Sequence, residues 1–172
     1  LDVLPMIHIK QVPNMVKNDD LTADEKAVLS ALCLVNGETA VTVDGEAWDS
    51  ATAEAYIPGF RYYVVYSQDK MDSFKTKGLT ENFAAATSHF MGQGGEVKVG
   101  EPVKELDKIL SVGEKYGDVI AADSIAQLAK GIGCDEATLK KTLGGKDGKY
   151  YAVCCAGYAY ATVGGLDVNE NM

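Results

Sequence analysis

The sequence predicts an α+β domain in which several helices pack a small mixed sheet. Two observations support this fold class. Segments with strand alternation and segments with helical spacing follow one another along the chain, and several of the helical segments carry their own capping residues. The chain has 172 residues, of which 47% are hydrophobic, and a chain of this length can bury one sizeable core. We therefore expect residues 1–172 to form a single domain.

The first segments predict an extended stretch followed by a capped helix. Prolines flank the apolar residues 6–9, which favours a short extended segment before a loop. Thr22 and Glu25 have the spacing of a capping box, and apolar residues follow at helical intervals: Ala27, Val28, Ala31, Leu32 and Val35. This pattern predicts a helix over residues 23–35.

The middle of the chain predicts a hairpin and a central strand. Residues 39–43 alternate with strand period and lead into Asp44-Gly45, a strong hairpin signal. Residues 60–66 are dense in aromatic and β-branched side chains, which pack well on a pleated surface. We expect this segment to be a central strand, followed by short helices over residues 69–77 and 80–91.

The last third predicts three more helices and two strands. A helix starts near Pro102 and a brief strand covers residues 119–121. Two further helices follow, the first capped by Asp123 or Ser124 and the second by Asp135. Such a helix pair also occurs in DNA-binding proteins, but its exposed side carries acidic residues here, so we expect a packing role. A long apolar strand begins at Tyr150.

Charge and hydropathy exclude two classes of partner. The formal net charge is -9, and Arg61 is the only arginine, so the chain repels phosphate backbones and nearly lacks their forked ligand. Apolar runs are shorter than the roughly 20 residues that span a bilayer, and residues 1–10 do not read as a signal peptide. We therefore expect that the protein binds neither nucleic acid nor membranes and that it is cytoplasmic. An export signal upstream of Leu1 stays an open alternative.

The four cysteines predict neither a metal site nor a disulfide framework. Adjacent cysteines rarely bond each other, and no spacing matches a zinc site. The expectation is therefore four reduced and mostly buried thiols, at Cys33, Cys134, Cys154 and Cys155.

Two segments resemble one known family. The strand from Tyr150 runs into Thr162-Val163-Gly164-Gly165 and then Leu166-Asp167-Val168-Asn169, and an earlier helical phrase reads Ser124-Ile125-Ala126-Gln127-Leu128-Ala129-Lys130-Gly131-Ile132-Gly133. Both are similar to the substrate-capping domain of the FAD-dependent fumarate reductase and succinate dehydrogenase flavoproteins. The resemblance is weakest at residues 1–18 and 54–118.

The resemblance implies a function within a larger enzyme. Residues 1–172 would be one capping domain excised from a flavoprotein, and residues 150–172 would return to an FAD domain that this sequence lacks. The cap would close over the flavin and orient an unsaturated small-molecule substrate for hydride transfer in an oxidoreductase acting on CH–CH bonds. No Gly-x-Gly-x-x-Gly turn follows a strand here, so we expect the isolated fragment to be inactive and to release FAD.

The resemblance also assigns candidate site residues. Ser30 falls where the fumarate enzymes place a carboxylate-binding threonine, and Thr162 is a second substrate-binding candidate. Gly164 and Gly165 are the cofactor-binding candidates, because glycine allows positive φ and close approach to a flat ring. The family's proton-donating arginine has no counterpart and Ala161 replaces a histidine, so fumarate is not the expected substrate. No catalytic residue is identified.

Several alternatives remain open at this point. Arg61 or His8 is a possible substitute ligand, and tyrosines in the terminal strand are possible acids. The alternative function is a non-catalytic α+β binding or interaction module; a stand-alone enzyme is a weaker reading, since no nucleophile–base pair emerges. The short loop with Gly144-Gly145 fits either an engineered splice or a natural deletion. We further expect the tail from Tyr150 to fold back against the middle strands.

Overall fold

The α+β class is confirmed. The computed structural model describes residues 4–14, 19–33, 39–47, 61–80 and 95–163, with backbone alone for residues 4–11 and 157–163. This part contains five strands and five helices in the following order: β1 Leu4–Gln11, α1 Ala23–Ala31, β2 Thr39–Thr42, β3 Arg61–Ser67, α2 Gln68–Lys77, α3 Leu106–Tyr116, β4 Val119–Ala122, α4 Ile125–Ile132, α5 Glu136–Thr142 and β5 Tyr150–Val163.

Strand β5 lies at the centre of the sheet. Its first half pairs with β3 on one edge and with β4 on the other. Val153, for example, is the register partner of both Val64 and Val119. Its second half pairs with β1, and β2 pairs with the free edge of β3. As far as Val163, the tail from Tyr150 therefore folds back against the middle of the chain as expected.

All of these pairings are antiparallel, whereas the sequence led us to expect a mixed sheet. The reason is the strand order. Strands β3 and β4, which are connected through α2 and α3, run in the same direction, but β5 inserts between them, so they never pair with each other.

Helices cover both faces of the sheet. On one face α1, α2 and α3 pack against alternate residues of β3 and β5, and this core includes Tyr62, Val64, Tyr66, Val153 and Cys155. On the other face α4 and α5 pack against the intervening residues, among them Val65, Tyr150 and Ala152. Strand alternation thus divides the apolar side chains between two cores.

The predicted caps are confirmed, but two helix ends differ from the sequence pattern. The Thr22 capping box and the Ser124 and Asp135 caps are present. Helix α1 ends at Ala31, before the predicted residue 35, because side chains from the sheet hold the following residues, as described below. Helix α3 begins at Leu106 rather than near Pro102.

That later start has a local cause. The amide of Val103 donates to the carbonyl oxygen of Phe74 at 3.0 Å, which ties residues just before α3 to the end of α2 instead of to a helical turn. The predicted strand at residues 60–66 is an interior strand, flanked by β2 and β5. Of the predicted helix over residues 80–91, residues 81–91 lie outside the described part.

Candidate functional site

Strand β1 and the second half of β5 form a two-stranded ribbon at the end of the sheet. The ribbon begins where Gln11 pairs with Ala156 and ends where Leu4 pairs with Val163. The pairing of β3 with β5 stops at Ala156, so in the described residues the rest of β5 has β1 as its only neighbour. The first and the last described strands therefore lie side by side.

The C-terminal candidates lie at or beyond the end of this ribbon. Thr162 is the register partner of Pro5, one position before the last residue of β5. Gly164 and Gly165 lie outside the described residues, so their expected approach to a flavin stays a prediction.

Ser30 lies in a different part of the molecule. It belongs to α1 and is 2% exposed, and its hydroxyl has no hydrogen-bond partner among the described residues. The nearby Cys33 is bonded to Cys155 in β5. At about 3.3 Å per strand residue, the path along β5 from Cys155 to Thr162 spans about 23 Å. The structure does not bring Ser30 and Thr162 together around one small substrate.

The structure reveals a polar cluster that the sequence pattern did not indicate, formed by the buried Asp118 and Cys154 and the half-buried Tyr63. Asp118 is fully buried, and its carbonyl oxygen accepts the Cys154 amide at 2.8 Å. Its Oδ1 accepts the amide of Asn14 at 2.9 Å, while its Oδ2 has no partner in the described part of the chain. Burial raises the pKa of the Asp118 carboxyl, and this outweighs the opposing effects of hydrogen bonding from Asn14 and of the Arg61 charge.

Cys154 and Tyr63 occupy neighbouring positions on β5 and β3. Burial raises the pKa of the Tyr63 hydroxyl and of the Cys154 thiol, and each group also influences the pKa of the other. A thiol acts as a nucleophile through its thiolate, and this environment favours the neutral thiol. The cluster therefore has the character of buried structural polar groups rather than of an activated nucleophile.

The position of Asp118 explains why sequence reasoning missed it. It lies between Gly117, the C-cap of α3, and the first residue of β4. A charged residue in such a short connection is normally predicted to belong to an exposed loop. It becomes buried only because β4 pairs with β5 and Asn14 packs against it from the chain after β1.

The other weighed residues are distributed over the fold. The buried Tyr150 and Tyr151 donate hydrogen bonds to the Lys146 carbonyl oxygen and to Gln68 Oε1, which is typical of packing residues. Arg61 is exposed at the start of β3. The side chains of His8, Tyr158 and Tyr160 lie outside the described part.

The expectation of four reduced cysteines is wrong for two of them. Cys33 and Cys155 form a disulfide with a Cα–Cα distance of 5.5 Å, and Cys134 and Cys154 are free. Strand alternation places Cys154 and Cys155 on opposite faces of the sheet, so adjacent cysteines have different neighbours. Among the described residues no group of side chains has the composition to hold a metal ion.

No protein-family model, no curated protein and no solved structure matches this chain. Within the described ranges, no helix has both the length and the apolar character that a bilayer span requires. The observations that bear on function are therefore those made on the chain itself.

Proposed function

We propose that this chain is the substrate-capping domain of an FAD-dependent oxidoreductase similar to the fumarate reductase family. It closes over the flavin, excludes water and orients an unsaturated small-molecule substrate for hydride transfer. The partner is the FAD domain of the same polypeptide, and FAD belongs to the parent protein. The cytoplasmic location expected from the sequence stays a prediction, on which the disulfide bears directly.

The observation that supports this proposal most is the pairing of Leu4 with Val163. A domain inserted into a host is connected to it by two chain segments, and insertion is favoured when those segments lie close together. The ribbon of β1 and β5 meets this requirement, because the two strands stay paired as far as Leu4 and Val163, the outermost described residues of each.

A second support comes from the segments that carry the resemblance. Strand β4, helices α4 and α5 and strand β5 are consecutive elements. The two strands are paired in the sheet, and the two helices pack on one of its faces. The phrase from Ser124 to Gly133 forms a capped helix that ends with Gly133 in the left-handed conformation. Within the described residues, the two segments that resemble the family thus belong to neighbouring elements of the fold.

The proposal gives the end of the ribbon the contact with flavin and substrate. Thr162 meets the substrate there, and the backbone of Gly164 and Gly165 approaches the flavin. Ser30 takes no part in that contact, because it is buried in the core and separated from Thr162 by a path much longer than a small acid.

The reading frame on both sides of residues 1–172 provides the first test. We expect a strand, a Gly-x-Gly-x-x-Gly turn and a helix before residue 1, and a purified full-length product that carries a flavin absorption band. A frame without such a unit would overturn the proposal and favour the non-catalytic interaction module.

Matched variants of the full-length protein provide the second test. Gly164→Val adds bulk where we propose the backbone meets the flavin, and we expect a clear loss of bound FAD per polypeptide. Ala126→Val adds similar bulk on the exposed side of α4 and should leave the FAD content unchanged. Equal FAD content in both variants would contradict the assigned contact, as would a yellow product from residues 1–172 alone.

A further inference from the structure

The disulfide connects the end of α1 to the central strand of the sheet. Cys33 follows the C-cap residue Leu32, and Cys155 lies in β5 just before the ribbon begins. Both cysteines are fully buried, and 122 residues separate them in sequence. The bond therefore closes a loop that contains most of the domain.

Two tyrosines hold Cys33 beside Cys155 independently of the bond. Tyr62 is the register partner of Cys155, and its hydroxyl donates to the carbonyl oxygen of Cys33 at 3.0 Å. The Tyr66 hydroxyl donates to the preceding carbonyl, that of Leu32. The Cα–Cα distance of 5.5 Å lies in the usual range for disulfides, so the fold brings these two sulfurs together.

The sheet also selects this pair over the others. Cys154 faces the opposite side of β5, where Tyr63 is its register partner. Cys134 packs with the second core on that same side. Only Cys33 and Cys155 share the core formed by α1, α2 and α3.

We infer that the Cys33–Cys155 bond is a structural disulfide and that the domain matures in an oxidising compartment. The two thiols lose two protons and two electrons to a disulfide oxidant, an Sγ–Sγ bond forms, and the oxidant is reduced to two thiols. Because both sulfurs are buried, a reductant reaches them only when the domain opens. Disulfides of this kind are rare in the reducing cytosol, so the inference replaces the cytoplasmic expectation.

Thiol counting tests the pairing on the unmodified chain. The protein is refolded with oxidised and reduced glutathione, unfolded without reductant, alkylated and weighed. We expect two alkylated cysteines, rising to four after reduction, and a proteolytic peptide that joins Cys33 to Cys155. Four alkylated cysteines, or a bridge that uses Cys134 or Cys154, would overturn the inference.

Thermal unfolding tests the structural role. Because the bond closes a loop of this size, we expect protein that is reduced and refolded in a phosphine reductant to have a Tm roughly 10–20 °C below that of the oxidised protein. Cys134→Ala should keep this redox-dependent shift, and Cys33→Ala/Cys155→Ala should lose it. An identical Tm for oxidised and reduced wild-type protein would show that the bond has no structural role, whether or not the double variant folds.

Rapid acid quenching and alkylation of cells that naturally make the protein tests the compartment. The natural product is expected to carry two blocked and two free cysteines. Four free cysteines in those cells would overturn the assignment to an oxidising compartment.

Discussion

The Tyr66 hydroxyl donates a 2.7 Å hydrogen bond to the carbonyl oxygen of Leu32. Leu32 is the C-cap of α1, where helix carbonyls lose their partners within the helix. Both residues are fully buried, so a side chain of the sheet satisfies a carbonyl that water cannot reach. This contact fixes the end of α1 on β3.

Removing this hydroxyl should destabilise the domain. Tyr66→Phe keeps the ring and its edge-on contact with Phe74 but leaves the Leu32 carbonyl without this donor, which costs about 1–3 kcal/mol. Urea unfolding measures the loss. Tyr116→Phe is the control, since its hydroxyl makes an exposed 3.3 Å contact with Asp20; an equal loss in both variants would contradict the special role of the buried bond.

The ion pair between Glu25 and Lys108 should contribute to stability above acidic pH. Lys108 Nζ lies 2.7 Å and 2.9 Å from the two carboxylate oxygens. Burial raises the pKa of Glu25, but Lys108 and Thr22 outweigh this and hold it below the ordinary value of 4.5. The folded state thus binds the Glu25 proton more weakly than the unfolded state, and the stabilisation is lost as pH falls below 4.5 through the folded pKa.

Lys108→Met tests this contact. We expect a loss of about 1 kcal/mol at neutral pH, because the lysine is partly exposed, and a smaller fall in stability on acidification than in the wild type. The control Lys104→Met alters an exposed lysine that has no ion pair among the described residues. Urea midpoints between pH 3 and pH 7 measure both effects, and parallel pH curves for Lys108→Met and wild type would refute the prediction.

Asp118 should have the opposite pH dependence. Burial raises its pKa above 3.8, so the folded state binds this proton more tightly than the unfolded state, and stability falls as pH rises from 3.8 through the folded pKa. Asp118→Asn removes this titration and keeps an oxygen for the Asn14 amide. Relative to wild type, the variant should gain stability as pH increases.

Asp123→Asn is the matched control, because it removes one negative charge from an exposed side chain directly after β4. Urea midpoints from pH 4 to pH 8 separate the two variants. A stability difference between Asp118→Asn and wild type that does not change with pH would contradict the assigned titration.

Gly113 should tolerate no side chain. It lies within α3, and a Cβ built on it would come 2.5 Å from Val119 Cγ2 in β4. Within a helix, alanine is normally more stable than glycine by about 1 kcal/mol. At this position overpacking against Val119 should outweigh that gain, so Gly113→Ala should lower the free energy of unfolding by about 1–3 kcal/mol.

The rescue experiment for this position is a double-mutant cycle. Val119→Ala removes the clashing methyl group, so Gly113→Ala should cost less in that background than in the wild type. Ser111→Ala, on the exposed side of α3, serves as the helix-propensity control. Equal costs of Gly113→Ala in both backgrounds would show that the clash is not the cause.

Local signals in the sequence predicted most of the elements. The caps at Thr22, Ser124 and Asp135 set helix starts because they satisfy backbone donors within a few residues. The apolar strands and the turn at Asp44-Gly45 followed from alternation and turn chemistry in the same way, although the return chain of the turn forms only one isolated bridge, between Val41 and Ala47. These features depend on neighbours in the chain, which a single sequence contains.

The remaining features depend on partners distant in sequence. The end of α1 is set by tyrosines of β3, the burial of Asp118 by the pairing of β4 with β5, and the choice of Cys155 over Cys154 by the face of the sheet that α1 covers. No local pattern predicts that β5 inserts between β3 and β4. The antiparallel strand order, the disulfide and the polar cluster around Asp118 could therefore be identified only from the three-dimensional structure.

The antiparallel pairing of Leu4 with Val163 also determines how this domain responds to a pulling force. Tension applied through both chain ends loads the cross-strand bonds of β1 and β5 one pair at a time, as in opening a zipper, which is a mechanically weak geometry. From Ala156 inward, β5 is bonded to β3 and, over its first residues, also to β4, so the peeling reaches a doubly anchored strand. Mechanical strain from an attached domain would thus be absorbed by the ribbon before it disturbed either core.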